Sequence, residues 1–174
     1  MRSTGIVRRM DELGRVVIPK ELRRIMRIKE GEEIEVTQKD DTLILRKYSA
    51  VSEMIDFQME YALSVYRTTG YTAIITDNDR VVAVSGDLVR LAVGSPITEN
   101  LRERIELRKA ESYMGSEMVP FFDGKLDGVK GQVVAPIIVR GDVMGAVVLY
   151  SKKIPNETLL KTAETCAHFI GSRL

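Results

Sequence analysis

The spacing of apolar positions changes repeatedly along this 174-residue chain, and each change predicts an element. Gly5-Ile6-Val7 opens a strand reaching about Met10, and Asp11-Glu12-Leu13-Gly14 makes a turn in which Gly14 is free to take positive φ. Arg15-Val16-Val17-Ile18 is β-branched and reads as a second strand. Pro19 suits a first helical turn, because its missing N–H has no partner to lose there. From Pro19 to Arg27 a short helix places Lys20, Arg23, Arg24 and Arg27 on one arc. Leu22, Ile25 and Met26 fall opposite, an apolar face expected to dock. Glu33–Lys39 and Thr42–Tyr48 then read as a hairpin turning at Asp40-Asp41.

Beyond a short connector at 49–52, with Ser52 as an N-cap, the period becomes helical from Glu53 to about Thr69. That helix carries two apolar stripes, Met54-Phe57-Tyr61-Val65 and Ile55-Met59-Ala62-Tyr66. One stripe is expected to pack on its own domain and the other on a second chain. Gly70 ends it. Tyr71–Thr76 and Arg80–Ser85 are strands around Asp77-Asn78-Asp79, and Ile97–Ala110 is a helix opened after Ser95-Pro96. Tyr113–Phe121 reads as strand or loop, and Asp123 to Gly131 as loop. Gln132–Val139 and Val143–Tyr150 form a hairpin around Arg140-Gly141-Asp142, and a helix from Asn156 to Arg173 closes the chain. Helices alternating with paired strands predict an α+β domain around an antiparallel sheet.

Charge separates the two parts. The formal net charge is +1, but residues 1–29 hold nine Lys/Arg against three Asp/Glu, and residues 30–48 hold three against six. Positive charge concentrated at one end suits a polyanionic partner. Size adds a second constraint. Fewer than about 50 residues rarely bury enough surface to fold alone without a disulfide, a metal or a partner chain. The chain has one cysteine, and the first segment has no metal-ligand cluster, so an obligate dimer is expected there. A two-fold dimer doubles the basic surface and matches duplex symmetry. No apolar run is long enough for a membrane span, and the first ten residues lack a signal-type apolar core, so the expected setting is the cytoplasm.

The run STGIVRRMDELGRVVIPKELRR, Ser3 to Arg24, resembles the DNA-binding half of AbrB-type transition-state regulators. The resemblance implies a swapped-hairpin β-barrel in which two chains interleave their hairpins and the short helix sits in a looped hinge. It also implies DNA contact through Arg8, Arg15, Arg23 and Arg24, all arginine here. Arg2, Arg9, Lys20 and Arg27 are added as phosphate contacts from charge and position alone. Antitoxins of the MazE type share this fold. Regulators of this kind are regarded as reading DNA shape as well as base edges.

Further on, AVSGD and the late VVAPIIVRGDVMGAVVLYSK with its closing helix resemble a GAF-type sensory domain. Together the two halves are similar to AbrB-type regulators carrying a C-terminal GAF-like domain. The implied division is a DNA-binding domain over 1–50 and a regulatory or oligomerising domain over 51–174. The resemblance implies a regulator of sporulation-stage transcription in endospore-forming bacteria, working on double-stranded DNA at the nucleoid. It further implies a homodimer through 1–50, a homotetramer through the GAF-like domains, and room for an unidentified small-molecule effector under a lid near Tyr113–Lys130.

No catalytic residue, metal or cofactor is assigned. Cys166 and His168 lie two apart on the closing helix and point away from each other, so they form neither a nucleophile–base pair nor a chelate within one chain. A packed cysteine and a surface histidine are expected. Three other readings make different demands. An antitoxin-like autoregulator predicts a disordered acidic tail. A small-molecule sensor or enzyme with an incidental basic end predicts a catalytic constellation in the second half. An RNA binder predicts stacking aromatics, and residues 1–47 contain no Phe, Trp or Tyr.

Overall fold

A computed structural model describes residues 5–87, 93–118, 120–123 and 128–174. Its backbone divides into two units, Met1–Tyr48 and Ser49–Leu174. Arg2 and part of the expected lid, residues 119 and 124–127, lie outside the described residues.

In the first unit the helix α1 runs Lys20–Ile25, with Pro19 as its N-cap. The strands β1 (Ile34–Lys39) and β2 (Thr42–Lys47) pair antiparallel with Val36 opposite Leu45. Asp40 takes φ 51° at the turn, a left-handed conformation that Asp tolerates well. Three expectations are corrected. Among the described residues, 5–10 and 15–18 form no strand ladder, and the turn between them is closed locally, by hydrogen bonds among Asp11, Leu13, Gly14 and Arg15. A strand needs a partner row of backbone groups, and no segment among the described residues supplies one. Within one chain the apolar face of α1 is not covered either: Leu22, Ile25 and Met26 are all exposed. Arg27 adopts φ 54° beyond the helix, so it leaves the arc expected of it. Among the described residues of this unit only Pro19 is buried, while Val7 is 88% exposed and Val17 72%.

The second unit is built around a five-stranded antiparallel sheet. After α2 (Ala50–Glu53) and α3 (Ile55–Thr69) come β3 (Thr72–Thr76), β4 (Val81–Ser85), α4 (Glu99–Glu106) and β5 (Glu111–Met114). A 3-10 turn, Gly115–Glu117, precedes β6 (Gly131–Val139), β7 (Asp142–Ser151) and α5 (Glu157–Gly171). The strand order is β4-β3-β7-β6-β5. Alternation along the strands splits the core in two. Ala73, Ile75, Val133, Ala135, Val147 and Leu149 face Ala62 and Val65 of α3 and Leu159, Ala163, Cys166 and Ile170 of α5. Ile74, Val134, Ala146 and Val148 face Leu101 and Ile105 of α4, together with Phe121 and Phe122. A sheet covered on both faces reads as continuous apolar runs, as β6 and β7 do.

Helix boundaries follow their caps. Ser49, not Ser52, caps the first turn, accepting from the Ser52 N–H at 3.2 Å; the expected connector carries the short α2, and Met54 separates it from α3. The Ser52 hydroxyl instead donates to Asp77. α4 starts at Glu99, because the Thr98 hydroxyl accepts from the Leu101 N–H; Pro96 and Ile97 pair as isolated bridges before it. Gly70 ends α3 in the left-handed region at φ 73°, as expected from sequence. Gly145 is required by close approach. A Cβ there would lie 2.0 Å from the Thr76 carbonyl oxygen. On α3 the Phe57-Tyr61-Val65 stripe is covered, with Phe57 and Tyr61 packed on Phe169 of α5. Ile55 and Met59, from the other stripe, remain exposed, as does Leu63 one turn on.

Candidate nucleic-acid interface

The basic surface of the first unit starts at the turn. Asp11 accepts two backbone hydrogen bonds through Oδ1, from Leu13 N–H at 3.0 Å and Arg15 N–H at 2.8 Å. Its Oδ2 accepts from Arg15 Nε at 2.7 Å. The Gly14 N–H returns to the Asp11 carbonyl at 3.0 Å, and Gly14 takes φ 73° to allow it. An Asp opening a turn in this way closes it locally, without a ladder. The Arg15 N–H and guanidinium hold the Asp11 carboxyl below its ordinary range.

The remaining candidates stand on both sides of that turn. Arg8 and Arg9 are exposed before it, and Arg8 makes only a 3.4 Å contact from Nη1 to the neighbouring Val7 carbonyl. Arg23 and Arg24 occupy the last turn of α1, fully on its surface, and Lys20 is its first residue. Cations near a helix C-terminus also complement its dipole. Helical geometry thus sets Arg23 and Arg24 side by side, and the Asp11 turn fixes Arg15.

Contrast the basic residues of the hairpin. Arg46 pairs with Glu35 across the strands, Nε to Oε2 at 2.5 Å and Nη2 to Oε1 at 3.0 Å. That guanidinium holds the Glu35 carboxyl below its ordinary range. Lys47 reaches Glu32 at 3.0 Å. Arg46 and Lys47 of the hairpin are neutralised by local carboxylates, whereas among the described residues Arg8, Arg23 and Arg24 are not paired with a carboxylate. A phosphate backbone recruits exposed, unneutralised cations first. Sequence reasoning treated Asp11 only as a turn former and missed its hold on Arg15. An Asp four residues before an Arg, across a Gly turn, is the signal that finds it.

Cys166 is buried beside Tyr61, and burial pushes its thiol up, away from the reactive thiolate. His168 is exposed on the same helix. The expected packed cysteine and surface histidine are both observed. Among the described residues no group of three His, Cys, Asp or Glu side chains is placed to hold a metal ion. On the α4 face, Tyr113, Gln132, Tyr150 and Thr72 share one register row across β5, β6, β7 and β3. The Tyr150 hydroxyl in that row is buried without a hydrogen-bond partner among the described residues. Arg104 lies over the Tyr113 ring, 5.3 Å from its centroid.

Comparison with known proteins adds to this geometry. Residues 53–174 match the family model described as "Stage V sporulation protein T C-terminal, transcription factor". Residues 7–52 match "Antidote-toxin recognition MazE, bacterial antitoxin". Stage V sporulation protein T of Bacillus subtilis (strain 168) is 39% identical over 176 residues, covering 100% of this chain and 99% of that protein. The transition state regulatory protein AbrB of the same organism is 58% identical over 48 residues, 28% of this chain and 50% of AbrB. In fold, the cofactor-binding GAF domain of the nutrient sensor CodY from Clostridium difficile aligns at a TM-score of 0.53. The identity there is 14%, over 64% of this chain and 80% of that one.

Proposed function

This chain belongs to the stage V sporulation protein T family of transcription factors, and we propose that it regulates sporulation-stage genes by clamping duplex DNA with a two-chain N-terminal body. It is a DNA-binding transcription regulator with an AbrB-like N-terminal domain and a GAF-like α+β domain. The observation that carries the two-chain reading is the imbalance in the first unit. It exposes Val7, Val17, Ile25 and Leu43 while burying only Pro19 among its described residues. Apolar rows left open on extended backbone are completed by pairing with another copy. Interleaved hairpins from two chains, forming a swapped barrel, would cover both the segments around the Asp11 turn and the β1–β2 hairpin.

In that body Arg8, Arg15, Arg23 and Arg24 contact DNA, with Arg2, Arg9, Lys20 and Arg27 supplementing phosphate attraction. Arginine forks onto guanine edges or phosphate oxygens, so the four together combine positioning and readout. The GAF-like domains join two such dimers into a tetramer through the exposed apolar side of α3, Ile55, Met59 and Leu63. An effector would sit between the sheet and α4, where Tyr150 keeps a buried hydroxyl unpartnered. The protein acts by binding, in the bacterial cytoplasm at the nucleoid. The MazE match spans only residues 7–52, and the globular 53–174 match argues against an antitoxin tail.

The experiment is binding of the full chain to random-sequence duplexes, with selection of retained fragments and light scattering on the same samples. Enrichment of a sequence or shape class by a particle with an even number of chains is expected. Binding by a monomer, or no retention at low salt, would overturn the reading.

A further inference from the structure

A carboxylate inside a DNA-facing cationic surface works against the attraction around it, so Asp11 calls for a physical reason. Stability is a weak one. Asp11 and Arg15 expose 42% and 71% of their side chains, and ion pairs that open to water contribute little. Turn closure is a real role, but Oδ1 alone performs it, through the N–H groups of Leu13 and Arg15. Oδ2 is left over, and it accepts from Arg15 Nε at 2.7 Å.

Among the described residues, Arg15 is the one of the four arginines assigned to DNA that is paired with a carboxylate. Arg8 has only its 3.4 Å contact to the Val7 carbonyl, and Arg23 and Arg24 sit exposed on the last turn of α1. Held at Nε, a guanidinium keeps its two terminal nitrogens free, and their hydrogens point end-on as a fork. That fork is the geometry that matches two acceptors on one guanine edge or two oxygens of one phosphate.

Resting on the DNA-binding reading above, we propose that Asp11 is a positioning residue that sets selectivity. Its Oδ2 aims the end-on fork of Arg15 at one fixed acceptor pair, while its charge trims attraction to phosphates in general. The turn thereby exchanges indiscriminate affinity for discrimination, twice per dimer. The other three arginines supply attraction that any sequence satisfies.

Asp11→Asn separates the two roles. The amide oxygen still accepts from both backbone N–H groups, but the amide nitrogen cannot accept from Arg15 Nε. Full-length chain would be titrated, by fluorescence anisotropy at several salt concentrations, onto a duplex selected by the unaltered protein and onto a scrambled duplex. The expected result for Asp11→Asn is equal or tighter binding to the scrambled duplex and a roughly tenfold loss of the selected-to-scrambled ratio. Arg15→Lys, which keeps the charge and the Asp11 turn bonds but removes the fork, should lose the same ratio. The double variant should lose no more than either single one.

An unchanged ratio in Arg15→Lys overturns the proposal even if Asp11→Asn fails to fold. An unchanged ratio in a folded Asp11→Asn overturns it directly. If the unaltered chain binds neither duplex, the DNA-binding reading itself has failed.

Discussion

Two hairpins in this molecule are made of similar side chains and end in different surroundings. In β6–β7 the residues Val133, Val134, Ala135, Val147, Val148 and Leu149 are all buried, because α3 and α5 cover one face of the sheet and α4 covers the other. In β1–β2 the residues Val36, Leu43, Ile44 and Leu45 are all exposed, although their pairing register is regular throughout. Backbone pairing is therefore satisfied in both, and burial in only one. Hairpin formation and hairpin stability are separate matters, since an isolated two-stranded hairpin is marginal in water. The second unit supplies its own cover; the first has the surface of a half-built core and the cations of a binding face.

Substitutions can break this comparison, and the largest effect is expected in the self-contained unit. Gly145→Ala places a Cβ 2.0 Å from the Thr76 carbonyl at a glycine with φ 154°, and should cost about 3 kcal/mol or more by urea unfolding. Ile74→Ala, fully buried, should cost about 2–5 kcal/mol. Neither should depend on protein concentration. Val7→Ala sharpens the contrast. A side chain 88% exposed in the single chain should cost under about 0.5 kcal/mol if that chain is the whole fold. If a second chain covers it, the cost rises to about 2 kcal/mol and shrinks the dimer population.

DNA binding comes next. Arg23→Ala or Arg24→Ala should weaken it by roughly tenfold while leaving the melting curve in place, because both side chains are exposed on α1. Loss of fold in either would assign them to packing instead. If Arg8, Arg15, Arg23 and Arg24 each neutralise a phosphate in a dimer, about eight contacts give a log K against log salt slope near −7. A slope shallower than about −2 would detach the basic surface from binding.

The smallest effects are in pH. Asp11 and Glu35 are both held below the ordinary carboxylate range, by Arg15 and Arg46 respectively. Their ionised contacts contribute fully above the unfolded carboxylate value, about pH 4, and are lost as pH falls through the lower folded values. Urea midpoints should therefore be flat across neutral pH and drop only below about pH 4. A midpoint rising on acidification to pH 5 would contradict these pairings.

How much of this was legible without coordinates differs between the units for one reason. β3, β4, β6, β7 and α5 were readable because cover and pattern lie in the same chain, and because Gly70 and the Arg140-Gly141 turn punctuate them. Residues 5–10 and 15–18 carry equally good β-branched runs, yet form no ladder here. Propensity identifies extended backbone but not its partner. The caps lie a few positions from where spacing puts them, for a local reason. Ser49 and Thr98 accept the first free N–H groups better than Ser52 or Ser95-Pro96, and spacing alone does not rank them. At the candidate interface, the arginines were legible as charge and family pattern. The Asp11–Arg15 pair was not, because it depends on how one side chain divides its two oxygens.

The central claim is that the first unit is a fold of two chains and the second a fold of one. Residues 1–48 prepared alone, followed by circular dichroism melting across a hundredfold range of concentration with sedimentation equilibrium in parallel, test it most directly. The account predicts a dimer whose melting temperature rises with concentration, as folding coupled to association requires. A cooperatively folded monomer with a concentration-independent melting temperature would contradict it.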